Sequence, residues 1–548
     1  MSPLLIFGII LLSIFIFTTI LSIHGRLKMK QEVKRNWGKQ PHQVRFDKEE
    51  SLKAAWQTSK TFQTWDSEID DLTWADLDLF TIFDLINATY SSVGSEALYQ
   101  QLRNYQFTPQ PELEALIHFF QTNPQKREQL QYYFALLGKK DHNFTKQYLK
   151  DGKHQQLGNF SLYLFLGVLP LVGLCFLLLG NGFGLLLMIC SALFNTIFYL
   201  TKKNQLETEL TSMSYLVQTI SLSKKIAQVD TPLQNQIKDV FQPLKAIPFV
   251  GFSFQIKNQS EAEMFFDYIN MLFMIPFISY HLVLAKITNH RQDAIKLWNL
   301  LGQLEVAMAI LNFRTYMPLT CQPTFTKGGV SATDIYHPLV KNAVSNPVTW
   351  QQNTLVTGSN ASGKSTYVKS IAIGCILAQT IQTVPATTFT LQAGHVLTSM
   401  AIEDDLFAGD SYFVAEIKSL KRLLTQVQTQ ERCYCFVDEI LKGTNTIERI
   451  AASASVVSWL TTYPSLAFVA THDIELTEML KNKCTNLHFE EQVTPQQGIT
   501  FDYSVKEGPA TTRNAIALLQ VLQYPEPIVT TAQKTAVNFD QQRTWPLL

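Results

Sequence analysis

The sequence predicts an α/β domain in the C-terminal part of the chain, preceded by an all-α region that contains transmembrane helices. Three observations carry this prediction. From about Gly328 onward, short β-branched runs alternate with helical patterns, which is typical of a parallel sheet flanked by helices. Upstream, apolar residues recur at helical spacing, and some stretches of roughly 20 residues contain no charged side chain, which is enough to cross a bilayer.

The composition limits the classes of protein to which the chain can belong. At 548 residues it is too long for a single hydrophobic core, so several domains are expected. Hydrophobic residues make up 46% and charged residues only 16%, which favours a location partly in lipid. Lys and Arg total 45, as do Asp and Glu, so any DNA contact must be local rather than driven by net charge. Seven scattered cysteines indicate a reduced, cytosolic setting.

The first apolar stretch, Leu4 to Ile23, predicts a membrane-spanning helix. A cleaved signal peptide is the alternative, but it requires positive charge before the apolar run and small residues after it. Here the basic residues follow the run: Arg26, Lys28, Lys30, Lys34 and Arg35. Because basic flanks stay on the cytoplasmic side, the N-terminus is predicted to face outward.

Two more uncharged stretches, Phe160 to Leu179 and Phe183 to Leu200, are separated by a short Gly-Asn-Gly turn and flanked by lysines. They predict a membrane hairpin with both ends in the cytoplasm. A buried helix pair in a soluble core is the alternative. A fourth apolar run, Tyr268 to Ala285, is interrupted by Pro276 and His281, and a long core helix is favoured there over a further span.

The strongest motif is Gly358-Ser359-Asn360-Ala361-Ser362-Gly363-Lys364-Ser365, which fits the P-loop pattern G-x-x-x-x-G-K-[ST] in full. A strand-like run precedes it, and a helical run begins at Thr366. In a P-loop, backbone N–H groups wrap phosphates at a helix N-terminus, the lysine reaches the β and γ phosphates, and the last hydroxyl ligates Mg²⁺. The motif therefore predicts a P-loop NTPase that uses ATP and Mg²⁺.

Two later strand-like runs end in residues suited to nucleotide hydrolysis. Cys433 to Val437 leads into Asp438 and Glu439, an arrangement in which Asp438 holds Mg²⁺ and Glu439 orients or deprotonates the attacking water. Leu466 to Thr471 ends at His472, which could sense or polarise the γ-phosphate. Acidic strand ends and surface histidines are common by themselves; their order after a P-loop favours the catalytic interpretation.

From Thr354 to about Ala532 the chain resembles the ATPase domain of the MutS family of DNA mismatch-repair proteins, and hence the ABC/MutS type of P-loop NTPase. The stretches that carry this resemblance are TLVTGSNASGKSTYVKS, EDDLFAGDSYFVAEI, FVDEILKGTNT and FVATHDIEL. A weaker likeness to the family's helical core extends over Phe83 to Leu98 and Leu297 to Arg314.

The resemblance implies a composite ATP site in a homodimer, in which Ser411 of one chain reaches the nucleotide bound by the other. It also implies an ATP-switched clamp acting on mismatched or branched DNA. The expected domains are a transmembrane helix at 1–24, a cytoplasmic core-like helical region at 25–158, a transmembrane hairpin at 159–201, a helical core or lever region at 202–327 and the ATPase domain at 328–548. The protein is thus expected to be a multi-pass cell-membrane protein with a cytoplasmic ATPase domain.

Some residues depart from the family's pattern. Ser359 stands where the family usually has proline, and Leu441-Lys442 replaces its usual Gly-Arg. No room is evident before the core-like segment for the domain whose Phe-x-Glu wedge reads mismatches, and the later Phe489 to Glu491 is interpreted as coincidence. Two functions therefore stay open: a DNA clamp, or a membrane assembly or transport ATPase that acts on a non-DNA partner.

Overall fold

The computed structural model of the chain describes residues 3–42, 48–141, 143–151, 157–255, 261–359, 362–400, 412–494, 498–510, 516, 519–520, 522–542 and 544–547. These residues form two compact units, each of which is described by itself. The first comprises Met1–Thr64, Phe83–Gln101 and Pro111–Tyr316. The second comprises Trp65–Ile82, Leu102–Gln110 and Met317–Leu548, so it takes two short segments from the upstream part of the chain.

The described helices are α1 (Pro3–Asn36), α2 (Glu49–Ser59), α3 (Asp71–Asp76), α4 (Leu79–Ile86), α5 (Ser92–Arg103), α6 (Pro111–Thr122), α7 (Pro124–Leu137), α8 (Thr145–Asp151), α9 (Phe160–Leu178), α10 (Phe183–Gln205), α11 (Glu207–Ile226), α12 (Gln234–Leu244), α13 (Ile247–Val250), α14 (Glu261–Leu272), α15 (Ile275–Asn289), α16 (Arg291–Tyr316), α17 (Lys364–Thr380), α18 (Tyr412–Val427), α19 (Thr446–Leu460), α20 (Glu475–Met479) and α21 (Glu526–Gln542). A 3-10 turn spans Phe252–Phe254.

The described strands are β1 (Ser67–Glu68), β2 (Asn104–Tyr105), β3 (Thr324–Phe325), β4 (Val330–Ile335), β5 (Asn346–Trp350), β6 (Thr354–Thr357), β7 (Thr388–Leu391), β8 (His395–Ser399), β9 (Cys433–Asp438), β10 (Ser465–Ala470), β11 (Thr485–His488), β12 (Glu491–Thr494), β13 (Gly498–Phe501) and β14 (Lys506–Glu507).

The first unit is helical, and α16 forms part of its core. This helix packs against α6 and α12, and its last turn is tied to α6 by two hydrogen bonds from Arg314 to Glu114, 2.9 and 2.5 Å long. The buried Glu305 of α16 accepts hydrogen bonds from the backbone N–H groups of Tyr90 and Ser91, just before α5. A Cβ on Gly94 would lie 2.5 Å from that carboxylate. The two segments that resemble the family's helical core therefore contact each other through Glu305.

Within the described residues, the helices long and apolar enough to cross a membrane are α9, α10 and α16. In α16, 72% of the apolar window is buried, against 28% in α9 and 22% in α10. A helix that is apolar all round and buried belongs to a protein core, whereas α9 and α10 expose apolar side chains that suit lipid. Helix α1 covers the predicted span Leu4 to Ile23, although the side chains of its first turns lie outside the described residues.

The fourth apolar run differs from the single long helix that was predicted. It is divided into α14 and α15, which are separated by Phe273 and Met274. Met274 has a left-handed backbone (φ 53°). Pro276 lies in the first turn of α15, a position that proline favours, whereas a proline in the interior of a helix breaks or kinks it. Phe277, Tyr280 and Val283 of α15 are buried, which agrees with the prediction of a core element.

The second unit is an α/β domain built on a six-stranded sheet with the order β14-β11-β6-β10-β9-β8. Strands β11, β6, β10, β9 and β8 run parallel, and β14 is antiparallel to β11 at the edge. The unit also contains a four-stranded sheet of order β3-β7-β4-β5, the antiparallel pair β1-β2 and the hairpin β12-β13. The residues of β6 and β10 are all buried, as expected for parallel strands covered on both faces, and α17 is buried along nearly its whole length.

Candidate functional site

The predicted motifs meet at one edge of the six-stranded sheet. Strand β6 leads into the P-loop, its neighbour β10 leads into His472, and the next strand, β9, ends at Asp438 and Glu439. Because the carboxyl ends of parallel strands lie at the same edge, residues separated by more than 100 positions come together there. This edge is where open α/β sheets bind their ligands.

Glycine is required by the backbone geometry of the phosphate-binding loop. Gly358 (φ 142°) and Gly363 (φ 103°) both have positive φ, and a Cβ on Gly358 would lie 2.5 Å from the carbonyl oxygen of Phe489. Gly363 is also the N-cap of α17, so the loop ends at the N-terminus of a 17-residue helix. Asn360 and Ala361 lie outside the described residues.

Lys364 folds back over its own loop. Its Nζ donates hydrogen bonds of 2.7 Å to the carbonyl oxygens of Gly358 and Ser359. The side chain is 5% exposed, and burial lowers the pKa of Lys364 to about 8, although Asp438 and Glu439 nearby oppose that shift. The ammonium is thus held at the position from which it can exchange carbonyl partners for phosphate oxygens.

Ser365 and Asp438 supply a pair of oxygen ligands. The Ser365 hydroxyl, in the first turn of α17, donates a 2.7 Å hydrogen bond to Asp438 Oδ2 at the end of β9. One hydroxyl and one carboxylate fit Mg²⁺, which binds few protein ligands and keeps its other positions for water and phosphate oxygens. Ser365 and Thr366 are exposed at the start of α17, so both face solvent where a nucleotide would bind.

Glu439 has a strained backbone conformation and is contacted by His472 and Lys442. Its φ of 62° lies in the left-handed region, and its N–H donates to the carbonyl of Ala470 at 2.9 Å. His472 Nε2 lies 3.1 Å from Oε1, and Lys442 Nζ lies 3.4 Å from Oε2. The hydrogen bond from His472, followed by the charge of Lys442, lowers the pKa of Glu439 to about 2. Glu439 is therefore ionised at neutral pH.

Two interactions near this site were not predicted from the sequence. Arg449 donates two hydrogen bonds, 2.8 and 2.6 Å long, to the carboxylate of Asp473, the residue after His472. The Ser359 hydroxyl donates a 2.6 Å hydrogen bond to Glu491 Oε2. The acidic residue next to His472 could have drawn attention to Asp473, but no local pattern connects Ser359 to a residue 132 positions away. The predicted in-trans residue, Ser411, lies outside the described residues.

The comparisons with known proteins agree with this geometry. The family description "MutS domain V" matches residues 354–540, which contain every motif described above. The chain is 29% identical over 226 residues to a protein described as "DNA mismatch repair protein MutS" from Bacillus pumilus (strain SAFR-032). That similarity covers 39% of this chain and 26% of the relative, so the chain spans about a quarter of the relative's length. The match at residues 354–540 and this relative thus support the chain as a member of the MutS family.

Proposed function

We propose that this chain binds ATP with Mg²⁺ and hydrolyses it to ADP and phosphate. The observation that carries the proposal is the hydrogen bond between Ser365 and Asp438, with the Lys364 ammonium in the adjoining loop. A hydroxyl, a carboxylate and a buried ammonium at the N-terminus of α17 are the groups that a magnesium nucleotide needs. The match to MutS domain V, a family of ATPases, supports the same activity.

Each residue of the site has its own role in binding the phosphates or the metal ion. The backbone N–H groups of residues 358–365 wrap the phosphates, and Lys364 leaves its carbonyl partners to contact the β and γ phosphates. Ser365 and Asp438 would hold Mg²⁺, which would supply positive charge to the phosphate oxygens. Thr366 adds a hydroxyl at the first turn of α17.

Glu439 and His472 act on the water that attacks the γ-phosphate. With a pKa near 2 in the nucleotide-free protein, the Glu439 carboxylate is a weak base, which suits it to orient that water through a hydrogen bond rather than to remove its proton. When nucleotide binds, the γ-phosphate competes for His472, which lies 3.1 Å from Glu439. Loss of that contact raises the pKa of Glu439 and makes it a better acceptor for the water's proton.

The active unit is a homodimer in which Ser411 of one chain completes the site of the other. In the sequence Ser411 immediately precedes Tyr412, the first residue of α18, and a helix N-terminus favours an anion. Mixing a Ser411→Arg chain with a Lys364→Ala chain leaves one intact composite site and should restore part of the activity that each variant lacks alone. A monomeric mass for the ATP-bound wild type would contradict this assembly.

The domain is attached to the cell membrane by α1 and by the hairpin α9-α10, with the ATPase domain in the cytoplasm. The exposed apolar side chains of α9 and α10, together with Lys202 and Lys203 in the last turn of α10, support this topology. The expected arrangement has Met1 outside, the turn at Gly180 outside and the chain after Lys202 inside.

The resemblance to the family makes DNA the first candidate for the partner on which the ATPase acts. The relative from Bacillus pumilus is described as a DNA mismatch repair protein, which supports an ATP-switched clamp on mismatched or branched DNA. The apolar hairpin favours the second candidate, a membrane assembly or transport ATPase that uses the same site on a non-DNA partner. ATPase rates with duplex, branched and mismatched DNA across a salt series separate the two, because phosphate contacts weaken as salt rises.

The ATPase proposal is tested by two substitutions that should act differently. Lys364→Ala removes a phosphate contact and should weaken the binding of a fluorescent ATP analogue. Glu439→Gln should bind that analogue as tightly as the wild type but release phosphate at least about a hundredfold more slowly. Phosphate release unchanged by both substitutions would overturn the assignment of this site.

A further inference from the structure

A third carboxylate lies at the phosphate-binding loop, in addition to Asp438 and Glu439. Glu491, the first residue of β12, is only 7% exposed, and its Oε2 accepts the hydrogen bond from Ser359. The carbonyl of Ser359 accepts from both Lys364 Nζ and the hydroxyl of Ser362, the latter at 2.8 Å. Ser359 therefore lies between the Glu491 carboxylate on one side and the Lys364 ammonium on the other.

The backbone holds this carboxylate in place. The N–H of Phe489 donates to the carbonyl of Thr357 at 3.0 Å, and the Phe489 carbonyl occupies the space that a Cβ on Gly358 would need. The segment that leads from β11 to β12 is thus packed against the start of the loop, two residues before Glu491. A charge in such a poorly solvated place acts more strongly on nearby ions than one at the surface.

The field of Glu491 reaches the lysine that binds phosphate. Ser359 links the two groups, because its hydroxyl donates to Glu491 Oε2 at 2.6 Å and its carbonyl accepts from Lys364 Nζ at 2.7 Å. The adjacent Glu490 has a different environment, because it forms an ion pair with Lys506 and is 31% exposed. Of these two neighbouring carboxylates, Glu491 contacts the loop, whereas the charge of Glu490 is paired with that of Lys506.

We propose that Glu491 is a positioning residue that holds the phosphate-binding loop through Ser359 and whose charge limits nucleotide affinity and speeds nucleotide release. The inference rests on the proposed function, since it requires that phosphates bind at residues 358–365. In the nucleotide-free protein the Glu491 carboxylate stabilises the loop and the Lys364 ammonium. Once phosphates bind, the same negative charge opposes theirs, so bound ADP leaves faster than it would from a loop without this carboxylate.

The experiment measures association and dissociation of fluorescent ADP and ATP analogues on the purified full-length protein by stopped flow. Glu491→Gln keeps a hydrogen-bond acceptor for Ser359 but removes the charge. Its nucleotide affinity should rise roughly three- to tenfold, mainly through slower dissociation. Glu490→Gln, the matched control, should stay within about twofold of the wild type, because that charge is already paired.

Two further variants separate charge from structure. Ser359→Ala removes the hydrogen bond and keeps the charge. If Glu491 acted only by holding the loop, Ser359→Ala would change nucleotide release and Glu491→Gln would not. Glu491→Asp keeps the charge and should leave nucleotide release near the wild-type rate. The inference is overturned if the wild type binds nucleotide and Glu491→Gln binds it equally well or more weakly. A wild type that binds no nucleotide overturns the proposed function together with this inference.

Discussion

Nucleotide affinity should fall as the pH rises through about 8, because the buried Lys364 must be protonated to contact phosphate. Burial lowers the pKa of Lys364 from 10.5 to about 8 in the nucleotide-free protein. Phosphates stabilise the charged form and return the pKa toward its ordinary value. Binding is therefore coupled to proton uptake whenever the free protein has lost the proton.

The size of the effect follows from the shifted pKa. With a pKa of about 8, about nine-tenths of the Lys364 side chains are protonated at pH 7 and about one-tenth at pH 9. The Kd for a magnesium nucleotide should therefore rise roughly tenfold between pH 7 and pH 9. Folding stability should rise with pH over a range in which nucleotide affinity falls. Between pH 8 and 10.5 the unfolded chain binds the proton that the folded chain lacks, so the Lys364 contribution to stability rises with pH.

Calorimetric titration with a non-hydrolysable ATP analogue, in two buffers with different ionisation enthalpies, measures both the Kd and the proton uptake. The uptake should be about 0.1 proton per site at pH 7 and about 0.5 at pH 8. Lys364→Arg is the matched control, because arginine does not titrate in this range and its binding should not depend on pH. A wild-type Kd that stays constant from pH 7 to pH 9 would refute the reasoning.

Further outcomes are expected at neighbouring residues. Removing the histidine with His472→Ala should raise the pKa of Glu439 in the free enzyme from about 2 toward 4.5, so an acid limb near pH 4 to 5 should enter the kcat/KM profile, which reports the free enzyme; a kcat/KM profile like that of the wild type would contradict the coupling. Arg449→Leu leaves the buried Asp473 unpaired and should cost about 2–4 kcal/mol in urea unfolding, more than Arg449→Lys; equal stability of the two variants would exclude the role of the ion pair. A cysteine at Gly180, in a background without the native cysteines, should react with an impermeant maleimide on whole cells, and labelling only after lysis would reject the topology.

The centre of the site could be predicted because a strand and its end can be recognised from a short stretch of sequence. The apolar runs before Gly358, Asp438 and His472 are read as β6, β9 and β10, and the structure has these strands side by side and parallel. Parallel strands buried on both faces are nearly continuous apolar runs, so their ends are marked by the first polar residues. That rule was enough to predict that the three motifs lie at one edge of the sheet.

Contacts between distant segments could not be predicted in the same way. Within the C-terminal unit the edge strand β8 is covered by upstream residues: the Tyr105 hydroxyl bonds to the N–H and carbonyl of Val396, and Thr73 accepts from the N–H of Thr398. No periodicity in residues 65–82 and 102–110 indicates that they belong with the sheet. The pair of Ser359 and Glu491 is of the same kind, since it depends on side chains that only the folded chain brings together.

The division of α14 from α15 shows a third kind of limit. Pro276 was visible in the sequence as an interruption, but a proline in the first turn of a new helix and a proline that kinks a continuous one give the same pattern. The left-handed backbone of Met274 ends the uncertainty, and nothing about a methionine in the sequence predicts that conformation.

Metal-dependent phosphate release by the purified full-length protein tests the central claim most directly. The Ser365–Asp438 pair predicts that the wild type releases phosphate from ATP with Mg²⁺, that excess EDTA stops the release, and that Asp438→Asn lowers the rate at least about a hundredfold. Rapid phosphate release that persists in EDTA, or that Asp438→Asn leaves unchanged, would contradict an ATPase centred on these residues.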